Sequence, residues 1–473
     1  MEQNREFVRR TPAPRRRRPT KFQIFKEVYL PLGIAGLALL MILIIIIGSV
    51  VRAFQTRSIR AAEAYEASLI AQAEEESIKN QAKQYLEEAA QLAKHFDYEG
   101  AIATLEQFTG DRTEFPELAD KIDQYRDAWS SLVLWEDTEN ILCLSFQTLI
   151  ADPDRAYSDS TYGSSYKSNF VTTEEFFRVL EELYGNDYIL VSTQDCFDKS
   201  TDEYGNICIE EKPLYLPAGK KPLILTQTNV CYNLYMVDSD GDLLPDAGGA
   251  GFANRLELDE NGNISAAIVH ADGTETTGSY DLVPILESFI QTHPDFSYKG
   301  AKAILALTGF NGIFGYRTNA SALEYVIQED YDRDVSNAVE ICNVLRENGY
   351  EIACYTYSNK AYGSMDLLDM QEDLTLWSDE VGSLSGRPDI FVFAQQSDIA
   401  TDKAQYSSEK FDALKAEGFV LFFGFSTDGK PWRTLGDNQA RLGRILVTAD
   451  NLKNNPAWFE GILDPAYVLS PDP

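Results

Sequence analysis

Gly349-Tyr350-Glu351-Ile352-Ala353-Cys354-Tyr355-Thr356-Tyr357-Ser358-Asn359 is the stretch whose reading decides the fold. The glycine closes a helical pattern over 335–348. The apolar run after it predicts a buried strand over 351–356 that leaves the sheet into a polar loop. Lys221-Pro222-Leu223-Ile224-Leu225-Thr226-Gln227-Thr228-Asn229-Val230 has the same form, an apolar strand with a polar end. Sites of α/β folds form at such strand ends.

Outward from these two stretches, strands and helices alternate over more than 300 residues. Strands are expected at 140–146, 188–191, 222–226, 303–308, 389–393 and 419–424, and helices at 172–184, 281–292, 367–384 and 408–417. Thr172 and Thr173, followed by acids, are a cap for the first of these helices. Such alternation implies a parallel sheet, open or closed into a barrel. Residues 235–280 interrupt it with turn-rich alternating segments, and Asn261-Gly262 is a hairpin signal, so a β-hairpin insertion is expected there.

The amino-terminal quarter is different. Residues 1–27 hold nine Lys/Arg against three Asp/Glu and include Arg15-Arg16-Arg17-Arg18, a basic arm. Residues 28–51 carry no charge and centre on Leu39-Leu40-Met41-Ile42-Leu43-Ile44-Ile45-Ile46-Ile47. Twenty-four such residues are long enough to cross a ~30 Å hydrocarbon core. The basic flank predicts that the arm stays in the cytoplasm and that everything after Arg52 lies outside the cell, on a plasma-membrane anchor. Residues 52–134 read as an α-helical stalk in which 82–108 resemble one tetratricopeptide helix pair. A plain spacer and a partner-binding module are the two readings of that stalk.

The chain is 473 residues long, 44% hydrophobic, with a net charge of −33. Since the arm is basic, the body after the membrane span is strongly acidic. That repels nucleic acid and anionic membrane surfaces. Six cysteines make no disulfide scaffold and contain no C-x-x-C pair, which argues against a cysteine-based zinc or redox site. Cys196 and Cys208 flank a turn-rich segment and are the one pair suggested for a bridge.

The two strand ends resemble the metal-site strands of NodB-type polysaccharide deacetylases (carbohydrate esterase family four). That family reads T-F-D-D-G in the first and G-H-E-I-x-x-H-[ST]-x-x-H in the second. The resemblance spans roughly residues 138–468 and takes in Pro294-Asp295-Phe296-Ser297-Tyr298-Lys299-Gly300-Ala301, Thr308-Gly309-Phe310-Asn311-Gly312 and Phe459-Glu460-Gly461-Ile462-Leu463-Asp464-Pro465-Ala466. It looks like a membrane-anchored branch from Gram-positive bacteria. It implies a deformed (β/α) barrel occupying 135–473. It also implies a divalent metal that polarises an acetamide carbonyl and activates water, with a carboxylate base.

Position by position, the frame is kept and the chemistry is replaced. The base falls on Thr228, the ligand aspartate on Asn229, and the two ligand histidines on Tyr355 and Asn359. Neutral Thr, Asn and Tyr are poor ligands for a transition metal. The three histidines, His95, His270 and His293, all lie away from predicted strand ends. No transition metal is therefore expected, and a catalytically inactive homologue that binds cell-wall glycan or an envelope partner is the first reading. The alternative is an active deacetylase with a rearranged site that draws on Asp366, Asp398 or Asp428. Thr228, Asn229, Tyr355 and Asn359 then either form a polar, aromatic-lined groove or only fill space. Arg317, after a Gly-rich turn, lines that groove or makes a surface ion pair.

A second constellation is Asp238-Ser239-Asp240-Gly241-Asp242-Leu243-Leu244-Pro245-Asp246. Its spaced acids resemble a calcium loop, with Asp238, Asp240, Asp242 and Asp246 as the Ca²⁺ ligands. A solvated acidic turn is the other reading, since Gly249 stands where an EF-hand loop needs Glu.

Overall fold

Seven apolar runs form short parallel strands in the computed structural model, which describes residues 20–205, 207–238 and 249–470. They are β1 Leu142–Phe146, β2 Lys221–Thr228, β3 Ala303–Leu307, β4 Glu351–Cys354, β5 Ile390–Val392, β6 Leu421–Phe425 and β7 Gln439–Leu446. Each pairs in parallel with the next, and β7 pairs back on β1 through Ile445↔Leu144 and Leu446↔Ser145, so the sheet closes into a barrel. The closure is uneven: β4 meets β5 through the single pair Cys354↔Phe391. Two strands are added outside the ring. Tyr188–Leu190 runs parallel to the start of β2, and Trp432–Gly436 runs antiparallel to β7.

The two-residue period of a strand sorts side chains into two layers. Cys143, Ile224, Ile304, Ala306, Ala353, Val392, Phe423 and Leu442 fill the barrel. Their neighbours Leu144, Leu225, Leu305, Ile352, Phe391, Phe422 and Ile445 face the surrounding helices. Strands buried on both faces read as apolar runs, which is why β1 to β6 are legible in the sequence.

The chain divides into two units, Met1–Lys83 and Gln84–Pro473. In the first, helix α1, Leu30–Lys94, begins and continues unbroken into the second. It is long and apolar enough to cross a membrane, with a mean hydropathy of 3.0 in its most apolar window. Residues 52–81 continue the helix fully exposed. At 1.5 Å per residue they add about 45 Å beyond the apolar stretch. The expected stalk boundary at residue 134 is not where the structure divides. From Gln84 onward the helices belong to the same unit as the barrel, because they are packed on it. The end of α1, with α2 Tyr98–Glu106 and α3 Pro116–Ser130, buries Ala89, Ala101, Leu105, Leu118 and Ile122. The Lys299 amide donates to the His95 carbonyl at 2.7 Å, and Lys299 Nζ lies 3.6 Å from Glu99.

Around the barrel stand α4 Thr173–Gly185, α5 Leu282–Thr292, α6 Gln328–Glu347, α7 Leu367–Trp377 and α8 Glu409–Ala416. The expected capping box opens α4: the Glu175 amide donates to Thr172 Oγ1 and the Thr172 amide to Glu175. The insertion is a three-stranded antiparallel meander, Arg255–Leu258, Ile264–Val269 and Glu275–Gly278, rather than one hairpin. Asn261-Gly262 does make its first turn, fixed by Asp259, which accepts the Asn261 and Asn263 amides at 2.8 Å each.

One expectation needs correction here, and another lies largely outside the described residues. Cys196 and Cys208 form no bridge, and all six cysteines are free. The hairpin register sets Cys208 across from Ser200, about 13 Å along the strand from Cys196. Of the proposed calcium ligands, Asp240, Asp242 and Asp246 lie outside the described residues.

Candidate functional site

The carboxyl ends of the seven strands converge on one mouth, and the sequence candidates gather there. Thr228 ends β2, Asn229 follows it, and Tyr355 and Asn359 follow β4, with β3 between the two strands. Backbone strain concentrates at the same place. Asn229, Tyr232, Thr356, Asn359, Gln395 and Gln396 all have φ between +50° and +62°. For a β-branched residue such as Thr356 this is a genuine outlier. Non-glycine residues held there cost about 1–3 kcal/mol each, and such strain clusters at functional sites.

The strand-end side chains are largely buried. Thr228, Asn229 and Tyr355 are 2%, 7% and 9% exposed. The Thr228 hydroxyl is spent on its neighbour strand, donating to the Phe146 carbonyl at 3.1 Å. Asn229 Oδ1 accepts from the Thr308 hydroxyl at 2.8 Å. The Cys231 thiol sits 3.3 Å from the same oxygen and 3.0 Å from Asn233 Oδ1. Burial pushes that thiol up to about 11, so it stays protonated. Asn359 is half-buried, and its Oδ1 has no hydrogen-bond partner among the described residues. Two clefts, of about 780 and 410 Å³, open elsewhere, at the amino-terminal ends of the strands.

Beneath these residues lies a group that the sequence reading passed over. Arg444, on β7, is 1% exposed and points into the barrel. Its Nη1 donates to Ser145 Oγ at 2.8 Å and its Nη2 to the Phe393 carbonyl. The guanidinium carbon lies 4.3 Å from the Phe425 ring centroid and 5.9 Å from that of Tyr355. Among the described residues it has no carboxylate partner. Burial drives its pKa below the ordinary value, opposed first by the neighbouring Tyr355 phenol. Strand β7 was missed because two arginines break its apolar run. A charge at an alternate, inward position of an otherwise apolar strand was the available signal.

The loops that carry the mouth are pinned by buried carboxylates. Asp373 on α7 accepts the Tyr357 amide (2.8 Å), the Ser358 amide (3.0 Å) and the Tyr362 hydroxyl (2.9 Å). Asp281 accepts the Leu149 amide (3.0 Å), Gln227 Nε2 (2.8 Å) and the Tyr232 hydroxyl (2.5 Å). Arg317 is neither a groove residue nor a surface ion pair. It is 7% exposed, and its guanidinium donates to the carbonyls of Asn311 (2.6 Å) and Tyr232 (3.2 Å), bracing the loops after β2 and β3. Gly309 is required for a different reason. A Cβ there would come within 2.5 Å of the Tyr357 ring, whose hydroxyl is held by Glu380 at 2.5 Å. Gly309→Ala is therefore expected to cost about 1–3 kcal/mol by overpacking, measured as a lowered thermal midpoint.

These donors do not fit a transition metal. Asn229 Oδ1 is engaged by Thr308, the residues contributed are Asn, Tyr and Asn, and a buried guanidinium occupies the barrel beside Tyr355. Among the described residues no three His, Cys, Asp or Glu side chains cluster as a metal site. The histidines are used elsewhere: His95 Nδ1 lies 3.3 Å from the Ser297 carbonyl, His270 contacts Thr276, and His293 stacks on Phe289. The three alternative acids are also committed. Asp366 caps α7, Asp398 is held by Arg441 Nη2 (2.8 Å) and the Tyr406 hydroxyl (2.7 Å), and Asp428 accepts from Ser426 and Lys430.

No family model matches the chain, and no curated protein does. Among solved structures it is similar to the Streptococcus pyogenes deacetylase PplD in complex with acetate. The identity is 12%, over 67% of this chain and 97% of that one, with a TM-score of 0.35. A polysaccharide deacetylase from Bacillus cereus is 10% identical over 66% of this chain and 65% of that one, with a TM-score of 0.31. A 4-alpha-glucanotransferase from Thermococcus litoralis follows at 11% identity, 31% and 22% coverage, and a TM-score of 0.21. At these scores the barrel assignment rests on the strand pairing itself.

Proposed function

We propose that this chain is a membrane-anchored, deacetylase-like barrel that no longer hydrolyses and instead binds cell-envelope glycan. The observation that carries this reading is the mouth's donor set. A metal-dependent deacetylase needs ligands for a cation and a carboxylate to take a proton from water. Here the corresponding positions hold Thr228, Asn229, Tyr355 and Asn359, and the first two are hydrogen-bonded into the fold. The apolar helix supports an anchor, with the basic arm on the cytoplasmic side and the barrel outside. Tyr355 and Asn359, whose Oδ1 has no partner among the described residues, are suited to stacking on and hydrogen-bonding a sugar at this strained strand-end cluster.

The test uses full-length protein in detergent, without a histidine tag. It is incubated in turn with Zn²⁺, Co²⁺ and Ni²⁺ and assayed for acetate release from N- and O-acetylated wall polysaccharide. It is also assayed for retention on the insoluble polysaccharide. We expect no acetate, and retention that falls in Tyr355→Ala and Asn359→Ala. Acetate release above the background of a boiled sample overturns the non-catalytic reading. Absence of retention in all forms overturns glycan binding and leaves a protein partner as the object of the next capture experiment.

A further inference from the structure

Two arginines of β7 are fully buried, and they are treated differently by the fold. Arg441 is 0% exposed and has a counter-charge, Asp398, at 2.8 Å. Arg444, three residues on, has none among the described residues. It has the Ser145 hydroxyl, the Phe393 carbonyl, the Tyr355 phenol and the rings of Tyr355 and Phe425, and its Nε, like that of Arg441, has no hydrogen-bond partner among the described residues. Removing an unpaired charge from water is expensive, and buried charges are normally paired. The arrangement around Arg444 is that of a site awaiting its anion.

We propose that the barrel mouth is a carboxylate-binding site, in which a ligand's carboxylate pairs with the Arg444 guanidinium and takes a second hydrogen bond from the Ser145 hydroxyl. Ser145 Oγ accepts from Arg444 Nη1, which leaves its own O–H free to donate. A guanidinium fork and one hydroxyl match a planar, singly charged acceptor. A dianionic phosphate would instead leave excess negative charge buried beside a single cation. Of the groups around the guanidinium, Tyr355 and Phe425 still reach solvent, at 9% and 8% exposed, so the ligand approaches between these two rings. The site is formed by the ends of β1, β4, β5, β6 and β7; the acid whose charge reaches it, Asp398 in the loop after β5, is already held by Arg441 and Tyr406. This inference does not depend on the glycan reading, because a carboxylate without a sugar is enough to test it.

The experiment measures thermal midpoint and titration heat on full-length protein in detergent with four probes: formate, glucuronate, glucose and inorganic phosphate. Formate and glucuronate are expected to raise the midpoint and to bind, glucose to do neither, and phosphate to bind more weakly than formate. Ser145→Ala should weaken formate binding roughly tenfold by removing one charge-assisted hydrogen bond. Arg444→Lys should retain part of the binding and Arg444→Met none. Should Arg444→Met fail to fold, the Ser145→Ala and probe comparisons decide alone. Binding by glucuronate and not formate assigns the carboxylate to a sugar; binding by both assigns it to the carboxylate alone. No carboxylate binding, equal binding by glucose, or tighter binding by phosphate each overturns the proposal.

Discussion

Asp373→Ala is expected to lower the stability of the barrel unit by roughly 3–5 kcal/mol, read as a shift in thermal or denaturant midpoint. The carboxylate is 7% exposed and is the acceptor for three donors of one loop. Truncation leaves the Tyr357 and Ser358 amides and the Tyr362 hydroxyl without an acceptor. Each such buried loss costs about 1–3 kcal/mol. Tyr362 is itself fully buried and packs at 5.6 Å on Phe391 of β5, so its hydroxyl has no route to water. Asp373→Asn keeps one acceptor oxygen and is expected to cost about half as much. Because Tyr355 and Asn359 sit on the loop that Asp373 holds, any ligand binding at the mouth should weaken in parallel with stability. A loss below about 1 kcal/mol would mean that Glu380, through the Tyr357 hydroxyl, is the group that holds this loop.

Asp281 gives the second large effect, with a pH dependence of definite sign. It is 0% exposed and joins the loop after β1, through Leu149, to Gln227 and Tyr232. Burial is the largest influence on it and raises its pKa above the ordinary aspartate value. The hydrogen bonds from Tyr232, Leu149, Leu282 and Gln227 act the other way and do not fully compensate. A carboxyl with a raised folded pKa holds its proton more tightly folded than unfolded. Stability then falls as pH rises from the unfolded pKa through the raised folded value, and is flat above it. Asp281→Ala should cost roughly 3 kcal/mol, since three donors lose their acceptor while one buried charge is relieved. Asp281→Asn removes the titration. The difference between wild type and Asp281→Asn should therefore shift against the wild type as pH is raised through that window. A difference that moved in the opposite direction would show that the hydrogen bonds, not burial, dominate this site.

The strand-by-strand plan was legible because parallel strands buried on both faces are built on uncharged, mainly apolar runs, and six of the seven barrel strands carry one. The seventh does not. Arg441 and Arg444 break its run, and charges are tolerated there only because Ser145 of β1 and, from the segment after β5, the Phe393 carbonyl and Asp398 are brought to them. The same physics limited the reading of Arg317. Its sequence context gave a groove or a surface pair, whereas its partners are backbone carbonyls of two loops, which carry no sequence signature.

The sequence by itself determined the apolar span and the alternation of strands and helices. Each follows from local periodicity and composition, which act over a few residues. Only the tertiary structure decided that the sheet closes, that Thr228 and Asn229 are buried and bonded to Phe146 and Thr308, and that a buried cation of the chain's own lies beside Tyr355. Closure joins β7 to β1, and the bond from Arg444 to Ser145 spans 299 residues. Contacts over such separations depend on strand order and register. Those are set by the packing of the whole barrel and leave no pattern in any one stretch.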